Sequence, residues 1–451
     1  MYAHFGSHCL IVLNFPRGGD TLRASIRFIH LLMATVAAIV WAGTASAQPP
    51  ATPPVDATKA EAPQPTPSPA DATKVDASAG GVTISSGVNS LTIGARAQFR
   101  WTIDKREEFD ADKAGSGVGR ADGAFSQFDV PRMRVTLSGG AYRPWLRYTF
   151  QFDFSRTSGE GASKLKDAII EIRPTGTTSR ILAGQYKVPF GLQQLTSSGR
   201  LQFVDRAITD SKFVPARDMG VMFGGTAAGR KVGYEAGVFN GSGESLRQTR
   251  ESPLWAARVF LNPLGAYALS EGASDAADKP VLHVGVGVRG GAQIRGRTTT
   301  GIVQNADRQT AFVVELAYKA PRFFSTAEFF WMNDEGRNPA AMADLKSNGY
   351  HAQAGFMVVP RRTELAIRYA LVEGDSEVAD SAVSELRGAF GYYWRAHNLK
   401  LQADIGQVGY DASFATLSSR ARAGLPSLGT RLVTGRKLAD TEFRLQLQLA
   451  F

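Results

Sequence analysis

The chain has 451 residues, a formal net charge of +10 and 43% apolar residues, enough for a sizeable folded domain. Its one cysteine and six histidines exclude a disulfide framework and offer no cluster with metal-ligand spacing. The basic balance suits nucleic acid, anionic lipid or anionic solutes.

Residues 1–47 have the layout of a secretory signal peptide. Arg23 and Arg27 precede an apolar run from Leu31 to Gly43, and Ala45-Ser46-Ala47 follows as a small-x-small cleavage site. The run is well short of the ~20 residues that a spanning helix needs. Cleavage after Ala47 would remove Cys9 and leave only His283, His351 and His397, widely spaced. Export makes nucleic acid the weakest of the three partner classes.

Residues 48–87 read as a disordered periplasmic linker. They are rich in Pro and Ala, and Asp-Ala-Thr-Lys recurs at 56–59 and 71–74. Such composition gives an extended spacer without a core.

From residue 88 to 451 the pattern has a period of two. Leu91, Ile93, Ala95, Ala97, Phe99, Trp101 and Ile103 alternate with Thr92, Gly94, Arg96, Gln98, Arg100, Thr102 and Asp104. Similar strands can be read near 130–138, 146–155, 166–173, 180–189, 217–225, 231–240, 254–261, 281–291, 310–319, 323–332, 349–359, 363–372, 385–395, 398–408 and 441–451. About sixteen strands result. Long connections near 105–128, 191–216, 240–253, 333–348, 373–384 and 409–440 alternate with mostly tight turns. The turn at 262–280 is longer than this rhythm predicts.

The closing run, Thr441-Glu-Phe-Arg-Leu-Gln-Leu-Gln-Leu-Ala-Phe451, alternates strictly and ends on an aromatic. Its length suits a tilted strand across a hydrocarbon core. It resembles the closing strand of a bacterial outer-membrane barrel, whose terminal Phe belongs to the assembly signal. Long loops, short turns and aromatics near strand ends (Trp101, Trp331, Tyr392-Tyr393-Trp394) agree with that reading. The predicted fold is therefore all-β: a transmembrane antiparallel β-barrel of about sixteen strands. A soluble exported β-rich binding protein is the alternative, with its apolar face buried in a dry core.

Strand parity puts Arg96, Arg100, Arg132, Arg134, Arg147, Arg258, Arg368 and Arg444 opposite the apolar face. An arginine pointing into mid-bilayer lipid would cost ~2–4 kcal/mol. They are expected to line the lumen, where rings of basic side chains favour anions. Asp104, Asp153, Asp167, Glu171, Glu364 and Glu442 share that parity, so the net field depends on pairing. The connection 191–218 carries Arg200, Arg206, Lys212 and Arg217 among Leu195, Leu201, Phe203, Val204 and Phe213. That is too apolar for a solvated loop. It is expected to fold against the inner wall as a constriction, with the four basic residues as candidate anion-binding groups; a loop buried at a subunit contact is the alternative.

Several runs resemble one family. Gly184-Gln-Tyr-Lys-Val-Pro-Phe-Gly191, Phe203-Val-Asp-Arg206, Arg217-Asp-Met-Gly220, Val238-Phe-Asn-Gly241, Ala257-Arg-Val259 and Gly391-Tyr-Tyr393 are similar to the phosphate-selective porin O and P family. The resemblance covers about residues 88–451. It implies a sixteen-stranded homotrimeric porin in the Gram-negative outer membrane, among lipid and lipopolysaccharide. It implies passage of small anions, phosphate above all, past an inward third external loop. It also implies insertion by the barrel assembly machinery through the strand ending in Phe451. The phosphate-specific members use several constriction lysines, whereas this loop has only Lys212. A general porin, or one for carboxylates or sugars, is the alternative.

No cofactor and no catalysis are expected. Gly285-Val-Gly-Val-Arg-Gly290 spells a dinucleotide fingerprint but lies in an alternating strand, where the required turn and helix have no place.

Overall fold

The computed structural model describes residues 73–77, 81–107, 124–155, 164–246, 252–297, 303–335, 344–428, 431 and 434–451. The expected signal peptide, and the linker as far as residue 72, lie outside them. The chain divides into two units, Met1–Thr66 and Pro67–Phe451, and every described element belongs to the second.

Sixteen antiparallel strands close into a barrel. They are β3 (Asn89–Arg106), β4 (Ala124–Ala141), β5 (Arg143–Asp153), β6 (Lys164–Ile172), β7 (Arg180–Lys187), β8 (Arg217–Ala227), β9 (Val232–Phe239), β10 (Leu254–Leu261), β11 (Val281–Arg297), β12 (Val303–Lys319), β13 (Phe323–Glu335), β14 (Leu345–Val359), β15 (Thr363–Glu373), β16 (Val383–Arg395), β17 (Leu399–Tyr410) and β18 (Leu438–Ala450). Each pairs with the next. β18 returns to β3 from Asp440↔Arg106 to Ala450↔Arg96. Closure pairs the backbone around the ring, which is what a sheet in lipid requires.

The barrel is inside out relative to a soluble protein. Along β12, Phe312, Val314 and Leu316 face outward, 39%, 43% and 47% exposed. Between them Val313 and Glu315 point inward and are both fully buried. Exposed apolar side chains ring the outside at Phe99, Val259, Val286, Ile367, Leu386 and Ile405. A soluble sandwich buries this face, whereas a membrane barrel presents it to lipid.

Two short strands precede the barrel, β1 (Lys74–Asp76) and β2 (Val82–Ser86). They correct the linker expectation at its end. Val-Thr-Ile at 82–84 has the β-branched character of a strand. It pairs with Leu91–Ile93 of β3, a stretch that β18 does not reach. Gly285–Gly290 lies within β11, with no turn or helix. Of the aromatics near strand ends, Tyr393 does not face outward. It is buried inside the barrel, donating to Glu364 Oε2 at 2.7 Å, while Tyr392 and Trp394 have the opposite parity.

Candidate pore and its constriction

The connection 188–216 between β7 and β8 folds into the lumen. It contains two short helices, α1 (Leu192–Leu195) and α2 (Ile208–Phe213). Phe190, Ile208, Phe213 and Val214 pack against inward Ala311, Val313, Phe330, Met332, Ala370 and Val372 of the wall. Phe213 and Phe330 stack with centroids 5.2 Å apart and planes 3° from parallel. Burying this apolar set is what draws the loop inside.

Wall charges fix both ends of α1. Its first N–H groups have no partner within the helix. Leu192 N and Gln193 N donate to the Glu328 carboxylate at 2.6 and 2.9 Å. At the other end Lys187 Nζ donates to the carbonyls of Gln194, Leu195 and Thr196. Arg206 donates to those of Gln193, Gln194 and Thr196. An anion at the N-terminus and cations at the C-terminus match the helix's partial charges. Lys187 and Arg206 are thus held mainly by neutral oxygens, and Arg206's nearest carboxylate oxygen, on Asp210, is 3.7 Å away.

The stretch 411–428, in the connection from β17 to β18, covers this loop from the long-loop side. Its helix α3 (Ser419–Arg422) places the Ala421 carbonyl 2.6 Å from Lys212 Nζ. Gly424 has φ +81°, and a Cβ there would meet the Ser211 carbonyl at 2.3 Å. A larger residue would push the two loops apart.

Among the described residues three cavities run beside the inward loop. One of about 480 Å³ opens beside Arg106, Arg132, Arg206, Arg387 and Arg444, with Asp104, Asp205, Asp210, Glu385, Asp440 and Glu442. A second, about 370 Å³, lies beside Arg100, Arg132, Arg134, Lys164 and Lys166, with Asp129, Asp153 and Asp205. The third, about 610 Å³, carries seven cations: Arg134, Arg180, Lys187, Arg206, Arg217, Arg230 and Arg258. Only two carboxylates, Asp167 and Glu235, share its lining. Arg132, Arg134 and Arg206 each line two of the three, so the spaces adjoin.

The carboxylates are spread over many arginines. Asp205 receives Arg100 and Arg132, each at 2.7 Å, and Arg444 at 3.5 Å. Burial would raise its pKa, but these guanidinium groups outweigh it and hold the carboxyl well below the usual range. At Asp210 burial wins over Arg206 and Lys187, and the pKa is raised. Arg134 meets Asp153 at 2.8 Å, and Arg217 meets Asp167 at 2.7 Å. Arg258 meets Glu315 at 2.7 Å. Arg96 instead donates to the hydroxyls of Ser197 and Ser198 at 2.9 and 3.1 Å.

The expected site residues separate accordingly. Arg206 and Arg217 line the 610 Å³ cavity. Lys212 is buried under 411–428 and lines none of the three. Arg200 is exposed, and its carbonyl accepts from Glu271 N in the turn 262–280. Of the wall arginines, Arg96, Arg100, Arg132, Arg134, Arg258, Arg368 and Arg444 reach partners inside the barrel. Arg368 Nη1 donates to the Asp205 carbonyl at 2.8 Å. Arg147 is exposed, opposite Glu171 in the register. Lys187 was not among the expected residues, although it sits in the quoted run 184–191. Nor was Arg387, which bonds Asp404 and Glu442 at 2.9 Å each and has the parity of an inward residue in β16.

Residues 96–423 match the family described as phosphate-selective porin O and P. The chain belongs to that family. It is accordingly a Gram-negative outer-membrane porin, a channel rather than an enzyme. No curated protein matches the sequence. Among solved structures, the anion-selective porin of Comamonas acidovorans is similar at 13% identity and TM-score 0.54, over 80% of this chain and 100% of that one. OmpT of Vibrio cholerae, folded in vitro, is similar at 13% identity and TM-score 0.50, over 80% and 98%. At these identities the likeness is one of fold.

Proposed function

We propose that this porin is a passive channel for small anions, with phosphate-like oxyanions as leading solutes and the loop 188–216 as its constriction. The cationic lining of the 610 Å³ cavity carries the reading: Arg134, Arg217 and Arg258 are each paired with a carboxylate, but Lys187 and Arg206 are held mainly by neutral oxygens and keep their charge available to an anion. A water-filled path of that sign concentrates anions and repels cations. Arg206, Arg217, Arg134 and Lys187 form the anion-attracting set. Arg200 extends it toward the short-turn end, and Arg96, Arg100, Arg132 and Arg444 continue it along the wall. Guanidinium pairs bind oxyanions bidentately, and sharing each with a carboxylate keeps that binding weak enough for release.

Residues 1–47 act as the cleaved signal peptide in this reading, and the strand ending in Phe451 addresses the assembly machinery. The functional unit is a homotrimer, by analogy with the family. A reversal potential in a KCl gradient tests the channel's sign, and cation preference would sink the reading. Titrating phosphate into a chloride-conducting channel then separates an oxyanion site, which shows block, from a general anion pore, which does not.

A further inference from the structure

The turn 262–280 joins β10 to β11 at the short-turn end, yet it does not stay at the rim. Ser270, Glu271, Ala273, Ser274 and Ala276 are all buried. Ala273 and Ala276 pack with Phe324, Met357 and Tyr393 inside the wall. Ala273 N donates to Glu364 Oε1 at 3.1 Å, and Lys319 Nζ meets Asp275 at 2.9 Å. The turn is therefore a second segment folded into the lumen, entering from the end opposite 411–428.

Its deepest side chain meets the inward loop. Glu271 Oε1 accepts Gln193 Nε2 at 2.9 Å. Glu271 Oε2 accepts Gln202 N at 2.9 Å and Gln353 Nε2 at 3.0 Å. Its own N–H donates to the Arg200 carbonyl at 2.8 Å. Gln193 lies in α1, and Gln202 follows it further along the same loop. One carboxylate thus ties two separate points of the loop to the turn and to β14. Every side-chain partner of that carboxylate is a donor, so an amide at 271 would face at least one of them with N–H groups.

We infer that the turn 262–280 is a periplasmic plug and that Glu271 is the positioning residue that sets the inward loop, and so the width and selectivity of the pore. The inference rests on the channel reading above. With the turn, 188–216 and 411–428 packed along β12–β15, ions pass on the side lined by Arg134, Arg217 and Arg258. Releasing the loop opens wider space in which wall charges act on ions less strongly.

The test uses the full-length porin in planar bilayers, with the heat-dependent gel shift as the check on folding. Glu271→Ala should raise single-channel conductance about two-fold or more while anion preference falls. Gln193→Leu, which loosens the same contact from the loop side, should move both quantities in the same direction. It serves also if Glu271→Ala does not fold. A purely electrostatic Glu271 would instead raise anion preference at unchanged conductance, and that result would overturn the inference, as would unchanged behaviour in both variants. A wild-type channel that prefers cations would overturn the anion reading, while a change of conductance in the variants would still report the plug.

Discussion

Arg206 does two things at once. It ties the carbonyls of Gln193, Gln194 and Thr196, and it contributes one of seven cations to the 610 Å³ cavity. Lys212, from the same loop, does only the first kind of work, holding Ala421 across 209 residues of sequence. The two should separate by experiment. Arg206→Gln is expected to lower the anion-to-cation permeability ratio about two-fold, read from reversal potentials. Lys212→Met should leave that ratio near wild type and cost about 1–3 kcal/mol, because it strands a buried carbonyl. A lower temperature for the heat-dependent gel shift would report that loss. Asp210 offers a further handle. Its raised pKa means that it takes up a proton above the ordinary carboxylate value as pH falls from neutral. The cavity beside it then loses a negative charge, so anion preference should rise on mild acidification. Asp210→Asn should start at the acidic value and lose that part of the pH response. An equal response in the variant would refute the assignment to Asp210.

At the scale of elements, the lumen is part channel and part core. Phe213 is fully buried, stacked on Phe330 of the wall. Phe213→Ala should cost about 3–5 kcal/mol and leave the loop loose, seen as noisier and larger conductance. The sixteen strands were legible because lipid imposes apolar parity on one face, as in Leu91–Ile103 and in the closing strand. The inward loop was legible for the opposite reason: Leu201, Phe203 and Phe213 have no place in water. What stayed hidden depends on contacts far apart in sequence. Nothing local in Ser270–Ala276 shows that Glu271 meets Gln193, 78 residues away. Lys187 was hidden by its strand position, where parity alone does not show that it caps α1. Lys212 was misplaced for a related reason. A basic residue in an inward loop has the same composition signature whether it faces the pore or a carbonyl of 411–428. Alternation also could not show that Ala311, Val313, Ala370 and Val372 face inward, since apolar residues there occupy both sides of the strand.

At the scale of the whole molecule, the barrel closes with its two ends meeting. β18 pairs with β3 only as far as Ala450↔Arg96, and Phe451 exchanges backbone hydrogen bonds with Ala95 at 2.9 and 3.0 Å. Beyond that point the edge of β3 would present bare N–H and C=O groups. β2 takes over there, pairing Val82↔Ile93 through Ser86↔Asn89 in the same antiparallel sense. It therefore continues the line of β18, as though the closing strand ran on past its own terminus. A Cβ on Gly81 would meet the Ile93 carbonyl at 2.9 Å, so the approach is tight where β2 begins. The end of the expected linker is then part of the closure rather than a tether. Deleting residues 73–87 while keeping 1–72 should still give a folded, conducting barrel, because the sixteen-strand ring is intact. It should lose the strand pairing of β2, worth ~0.5–1.5 kcal/mol for each hydrogen bond. The heat-dependent gel shift of the deleted protein should occur at lower temperature, with single-channel conductance unchanged. A shift temperature equal to that of the full chain would show that β2 contributes nothing to closure. A loss of conductance would show instead that these residues reach the ion path.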